Sequence, residues 1–165
     1  MKGVKVSLTT AVNANLLKGT SVNGVAKEWT KLTPPSKNYR DLVSFNNVAL
    51  PKDSTTFIVS FEAKSTNEGD KIISFFYYPS NITSALSSQG NKNKNVDGYM
   101  PIILTTKYTK YWICWEAPKA ASRSVIIARL YSDSVGGMVS IKNVKLEVGS
   151  IPTDWCANSA DIQGG

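Results

Sequence analysis

The sequence predicts an all-β fold, an antiparallel β-sandwich of jelly-roll type, built as a single domain over residues 1–165. Three observations carry this. No window of a dozen residues places apolar side chains at i, i+3, i+4 and i+7, so amphipathic helices are not expected. Apolar and polar residues instead alternate in short runs rich in β-branched and aromatic side chains. Gly, Pro, Asn and Ser interrupt those runs at strand-like intervals, as in sandwiches and barrels.

Residues 1–14 form a lead-in, with a weak strand over 4–8, and a second weak strand falls at 40–45. The clearest strand is 56–64: Phe57, Val59, Phe61 and Ala63 share one face, and Ser60, Glu62 and Lys64 share the other. Glu68-Gly69-Asp70 is a turn. The apolar run 71–78 is closed by Pro79. Residues 80–98 are long, polar and rich in Asn, Ser and Lys; they read as a loop, either functional or a tolerated surface insertion. A weaker strand at 100–105 follows.

The second strong strand is 108–116. Tyr111, Ile113 and Trp115 face the core, while Trp112, Cys114 and Glu116 face away. Ala117-Pro118 ends it. Over 124–131, Ile126, Ala128 and Leu130 lie opposite Ile127, Arg129 and Tyr131. Gly136-Gly137 turns the chain into the last long strand, 138–148, with Val144, Leu146 and Val148 inward. The core of the domain is thus 15–148, followed by a tail over 149–165.

Composition excludes several chemistries. The 165 residues are 42% hydrophobic, enough for an ordinary core without disulfide staples. Histidine is absent, so there is no Ser-His-Asp or Cys-His nucleophile and no imidazole metal ligand. Glu62 and Glu116 are outward strand carboxylates that read as solvated charges rather than a glycosidase acid–base pair. No enzyme activity is expected.

Lys plus Arg is 19 against 12 Asp plus Glu, a net charge of +7. Sixteen of these cations are lysines spread along the chain, which suits a soluble surface, not the clustered arginines and aromatics of a nucleic-acid groove. Weak attraction to anionic glycans is compatible with the charge. Cys114 and Cys156 are expected as free thiols. The start, Met1-Lys2-Gly3-Val4-Lys5-Val6, has no apolar stretch of signal-peptide length, and no run is long enough to span a membrane. The expected origin is the cytoplasm, with release by lysis or within a larger particle.

The most specific stretch runs from Ile141 to Trp155: Lys145-Leu146-Glu147-Val148-Gly149, then Thr153-Asp154-Trp155. It resembles the "KLE-x-G-x-x-x-T-x-W" ending of β-sandwich modules in bacteriophage tail, baseplate and tail-fibre proteins, which look like the carbohydrate-binding modules appended to glycanases. Asn15-Leu16-Leu17 is similar to the opening of such modules. Ser60-Phe61-Glu62-Ala63-Lys64 and the run from Lys110 to Pro118 resemble two of their strands. The matches are scattered thinly from residue 15 to residue 155.

The resemblance implies a galactose-binding, carbohydrate-binding-module-like sandwich and a non-catalytic virion component of a tail, baseplate or fibre. Its partners would be other virion proteins, further copies of itself and host-surface polysaccharide. The alternative is a purely structural virion protein, a capsid decoration or adaptor. No cofactor is expected. Glycanase-linked modules often hold a structural calcium through an Asp on the strand matching 141–144; here Lys142 and Asn143 stand in its place, and an ammonium cannot ligate a hard cation. Asp133 or Asp154 remain as oxygen ligands for a site elsewhere.

A lectin-like site needs an exposed aromatic plane beside hydrogen-bonding side chains. Parity places Trp112, Arg129, Tyr131, Glu62 and Glu116 outward as the candidate glycan face, with Trp112 either stacking on a sugar or covered by a loop or a neighbouring subunit. Tyr77, Tyr78 and Tyr99 flank the long loop as a second candidate patch or as its anchors. Trp155 reads as an apolar plug over one end of the sandwich.

Overall fold

The computed structural model describes residues 12–32, 40–77, 84–93, 100–116, 124–132 and 137–162. In chain order the strands are β1 (Ser21–Val22), β2 (Val25–Ala26), β3 (Glu28–Leu32), β4 (Arg40–Ala49), β5 (Thr56–Ser65) and β6 (Lys71–Tyr77). They continue with β7 (Ser84–Ser87), β8 (Lys92–Asn93), β9 (Met100–Ile103), β10 (Thr109–Glu116), β11 (Ser124–Ser132) and β12 (Met138–Val148). A short 3-10 turn, Ser159–Asp161, follows in the tail.

Two antiparallel sheets face each other. One has six strands in the order β3-β12-β5-β10-β7-β8, the other four in the order β4-β11-β6-β9. Their inner faces share one hydrophobic core: Phe57, Val59, Phe61, Tyr111, Ile113, Trp115, Ile141 and Leu146 from the first meet Leu42, Phe45, Ile72, Met100 and Ile102 from the second. Trp29 of β3 sets its ring edge-on against Phe45 of β4, with centroids 6.2 Å apart. The all-β antiparallel sandwich read from alternation is the fold observed.

The inward sets predicted for β5 and β10 are buried. Three differences have physical causes. Residues 21–32, unassigned from sequence, hold a hairpin and an edge strand; the hairpin signal is Asn23-Gly24, both at positive φ, as tight two-residue turns require. The expected loop 80–98 contains β7 and β8, which extend the six-stranded sheet. Its Gln89 side chain donates to the Ile103 carbonyl (2.8 Å) and accepts from the Ile103 amide (2.9 Å), while Asn91 donates to the Pro101 carbonyl (3.2 Å). The third difference is β11, whose register against β4 shifts between Val125 and Ile127, between Ile127 and Leu130, and between Leu130 and Tyr131. Parity cannot be carried across such shifts, and the side chains of β11 lie outside the described residues. The lead-in strand 4–8 lies outside the described residues.

A bulge interrupts β12. Lys142 pairs with Glu62 and Lys145 with Ser60, so Asn143 and Val144 together oppose the one intervening β5 residue. Asn143 takes φ 52°, a left-handed conformation that Asn tolerates better than most residues. Val144 within the bulge and Leu146 beyond it are fully buried in the core, and Gly149, at φ 119°, turns the chain back.

Candidate functional site

On β12, Lys145 and Glu147 face away from the core, yet neither side chain has exposed surface. Their charged atoms lie 3.4 Å apart beneath the returning tail. The Lys145 ammonium donates to Thr153 Oγ1 and to the Asp154 carbonyl, both at 2.7 Å. Glu147 accepts from the Thr153 hydroxyl at 2.7 Å and from the Thr153 amide. The signature Lys-Leu-Glu followed by Thr is therefore a clasp: Leu146 enters the core, and its two neighbours grip the tail.

The opening motif belongs to the same assembly. Buried Asn15 accepts from the Leu17 and Leu146 amides and donates to the carbonyls of Val144 and Cys156. Asp161 accepts from the Gly19 and Thr20 amides, at 2.8 to 3.2 Å, and pins the far end of the tail. Trp155 is half-buried, and its indole N–H donates to the Val144 carbonyl at 3.2 Å. It lies on the outer side of the six-stranded sheet; the expected plug over the sandwich end is corrected to a strap across this face.

Between the strap and the sheet runs a groove of about 430 Å³, lined by Ser60, Glu62, Lys110, Asn143, Asp154 and Trp155, with Phe61 also contributing. Parity predicts its floor, since Ser60 and Glu62 are outward residues of β5. The bulge supplies Asn143, whose amide donates to Glu62. Lys110 donates to the Thr153 carbonyl at 3.2 Å. Trp112 stands directly across from Ser60 on β10, two residues from Lys110, and is half-buried. The outer face therefore carries two partly exposed tryptophans, Trp112 and Trp155, with hydrogen-bonding side chains between them.

Farther along the same face, the Tyr108 hydroxyl donates to Glu28. The Lys142 and Lys64 ammonium groups sit 4.2 and 4.6 Å from its ring centroid. Burial, and then the Glu28 carboxylate, push the Tyr108 phenol up to about 12. On the other side, Cys114 is half-buried opposite Ile58; burial, and then Glu116, push its thiol up, which keeps it protonated and a poor nucleophile. Neither Cys114 nor Cys156 is in a disulfide. A hollow of similar size lies beside β4, between Leu16, Lys18, Ser44 and Asn47, but its aromatic residue, Phe45, is buried.

The predicted glycan face is only partly assembled. Trp112 and Glu62 share the outer face of the six-stranded sheet. Glu116 is at the far end of β10, where it accepts from Thr56 Oγ1 at 3.3 Å. Arg129 and Tyr131 lie on β11, in the other sheet, so they do not join Trp112; their side chains lie outside the described residues. Alternation assigns a residue to a face of its own sheet and does not say which sheet takes the strand. Tyr77 ends β6 opposite Ile126, its side chain likewise undescribed, and Tyr78 and Tyr99 lie outside the described residues.

Sequence reasoning missed Ser60, Lys110, Asn143 and Asp154 as groove residues. Outward parity with Glu62 and Trp112 was the available signal for Ser60 and Lys110. Among the described residues no group of three or more Cys, Asp or Glu is placed to hold a metal ion, and Asp133 lies outside them. No helix among the described residues is long and apolar enough to cross a membrane.

No protein-family model matches the sequence, and no curated protein matches it at a significant level. Among solved structures, the chain is similar to the tripod from the baseplate of bacteriophage Tuc2009, with a TM-score of 0.44 and 14% identity over 90% of this chain. It spans 60% of the length of that tripod chain. It is also similar to the N-terminal cellulose-binding domain of β-1,4-glucanase C from Cellulomonas fimi, with a TM-score of 0.42 and 12% identity. That match covers 84% of this chain and 89% of the other.

Proposed function

We propose that the chain is a non-catalytic component of a bacteriophage virion, of its tail, baseplate or fibre, that helps hold the particle to host-surface glycan. The carrying observation is the outer face of the six-stranded sheet: Trp112 stands across from Ser60, beside a groove lined by Glu62, Asn143, Lys110 and a second tryptophan, Trp155. An indole plane packs against the apolar face of a pyranose, and the flanking polar groups meet its hydroxyls. The likeness of the Lys145–Trp155 ending to phage modules supports the particle context. On this reading the chain is made in the host cytoplasm, released by lysis, and assembled with other virion proteins and further copies of itself. A shallow site gains its grip from many copies on one particle.

The test is retention of the protein on a glycan array and on host cells, comparing the native chain with Trp112→Ala. Retention is expected to be lost while the circular dichroism spectrum is kept. Unchanged retention rejects the site. Loss of oligomers without loss of retention favours the purely structural virion role.

A further inference from the structure

Resting on that reading, we infer that the groove takes an uncharged, hydroxyl-rich glycan segment and excludes glycans bearing carboxylate, phosphate or sulfate, despite the chain's net charge of +7. The charge and the open hydrogen-bonding groups along the lining decide this. Glu62 uses one carboxylate oxygen to accept from Asn143. Its other oxygen has no protein partner among the described residues, and neither has the exposed carboxylate of Asp154, whose carbonyl alone is taken, by Lys145. The one ammonium of the lining, Lys110, gives one of its three N–H groups to the neutral Thr153 carbonyl and keeps its charge, so two carboxylates stand against one cation there. The Lys145 charge is fully buried and paired with Glu147.

The ionised groups of the lining therefore sum to a net negative charge, with carboxylate acceptors outnumbering the ammonium. Sugar hydroxyls are donors that suit these acceptors, and hydrogen bonds to ionised acceptors are stronger than neutral ones. An acidic substituent brings more acceptors and a like charge toward Glu62 and Asp154. The distributed lysines attract acidic polymers only over a screened distance of about 8 Å at physiological salt, and without a fixed pose.

The experiment compares retention on neutral β-glucan, mannan and galactan with retention on polygalacturonate and poly(glycerol phosphate), each at about 0.15 and 0.5 M salt. It uses the full chain, Glu62→Gln, Asp154→Asn and Trp112→Ala, with melting temperature as the folding control. The expected result is salt-insensitive retention on at least one neutral polymer, lost with Trp112→Ala and weakened about tenfold by each carboxylate variant at unchanged melting temperature. Retention on acidic polymers is expected to vanish at the higher salt and to ignore all three substitutions. Salt-resistant retention on an acidic polymer that Trp112→Ala abolishes overturns the inference and leaves the glycan reading standing. If no polymer of either class responds to Trp112→Ala, the glycan reading itself fails, and the inference with it.

Discussion

Lys145 and Glu147 face the same side of β12 with their charged atoms 3.4 Å apart, both fully buried by a tail that each of them holds. Two charges removed from water are tolerated because each has hydrogen-bond partners besides the other. The tail in turn depends on them, since Thr153 bonds to both.

Removing one partner leaves the other charge buried and unpaired. Lys145→Met is expected to cost about 3–5 kcal/mol of folding stability. Lys145→Met combined with Glu147→Leu is expected to cost less than Lys145→Met alone, because no lone charge remains. Urea unfolding of both single variants and the double variant checks this; a double variant as unstable as the sum of the singles contradicts it.

Trp155 is half-buried and gives one hydrogen bond to the Val144 carbonyl. Trp155→Ala is expected to cost about 2 kcal/mol, less than the roughly 3–5 kcal/mol of a fully buried ring. Trp155→Phe separates the parts, keeping most of the packing and losing only the indole donor. A thermal melt of Trp155→Ala matching the native chain would show that the strap does not depend on this side chain.

Asn143 combines a left-handed backbone with a bond to Glu62. Asn143→Gly is expected to leave stability within about 0.5 kcal/mol, and Asn143→Ala to lower it by about 1–2 kcal/mol, because only glycine escapes the steric cost of this conformation. Both lose the side-chain amide beside Glu62, so both are expected to weaken glycan retention. Equal stability of the two variants would place the cost elsewhere.

Tyr108 gives a pH signature. Its folded phenol is raised from 10.0 to about 12, first by burial and then by Glu28. Below pH 10 both folded and unfolded chains keep the proton, and the contribution is fully present. Between pH 10 and 12 the unfolded chain releases it and the folded chain does not, so stability falls as pH rises. The difference in unfolding free energy between the native chain and Tyr108→Phe should therefore be flat to about pH 10 and shrink above it. A flat difference to pH 12 rules out the raised phenol.

Where the core sits on one side of a strand and alternation is unbroken, the structure was legible. Phe57 to Ala63 and Tyr111 to Trp115 were read residue by residue. Alternation failed on β7 and β8, where short polar strands in an Asn- and Ser-rich stretch resemble a loop, and it cannot be carried across the register shifts of β11. For the site, Trp112 and Glu62 were legible as outward residues. The burial of Lys145 and Glu147 was not, because alternation tells which way a side chain points and not what lies over it. Asn143 was illegible for a related reason: a bulge re-aims a side chain by one inserted residue, and nothing local in the pattern marks the insertion.

The amides of Gln89 and Asn91 have an effect beyond joining the two sheets. On the border of β9 that faces away from β6, they occupy the Pro101 carbonyl and both main-chain groups of Ile103, and Pro101 has no N–H to offer. A foreign strand arriving at that border finds its hydrogen-bonding positions taken. Neighbouring copies of the chain are thereby kept from zipping into continuous ribbons along this margin, and any contact between them there must be made by side chains.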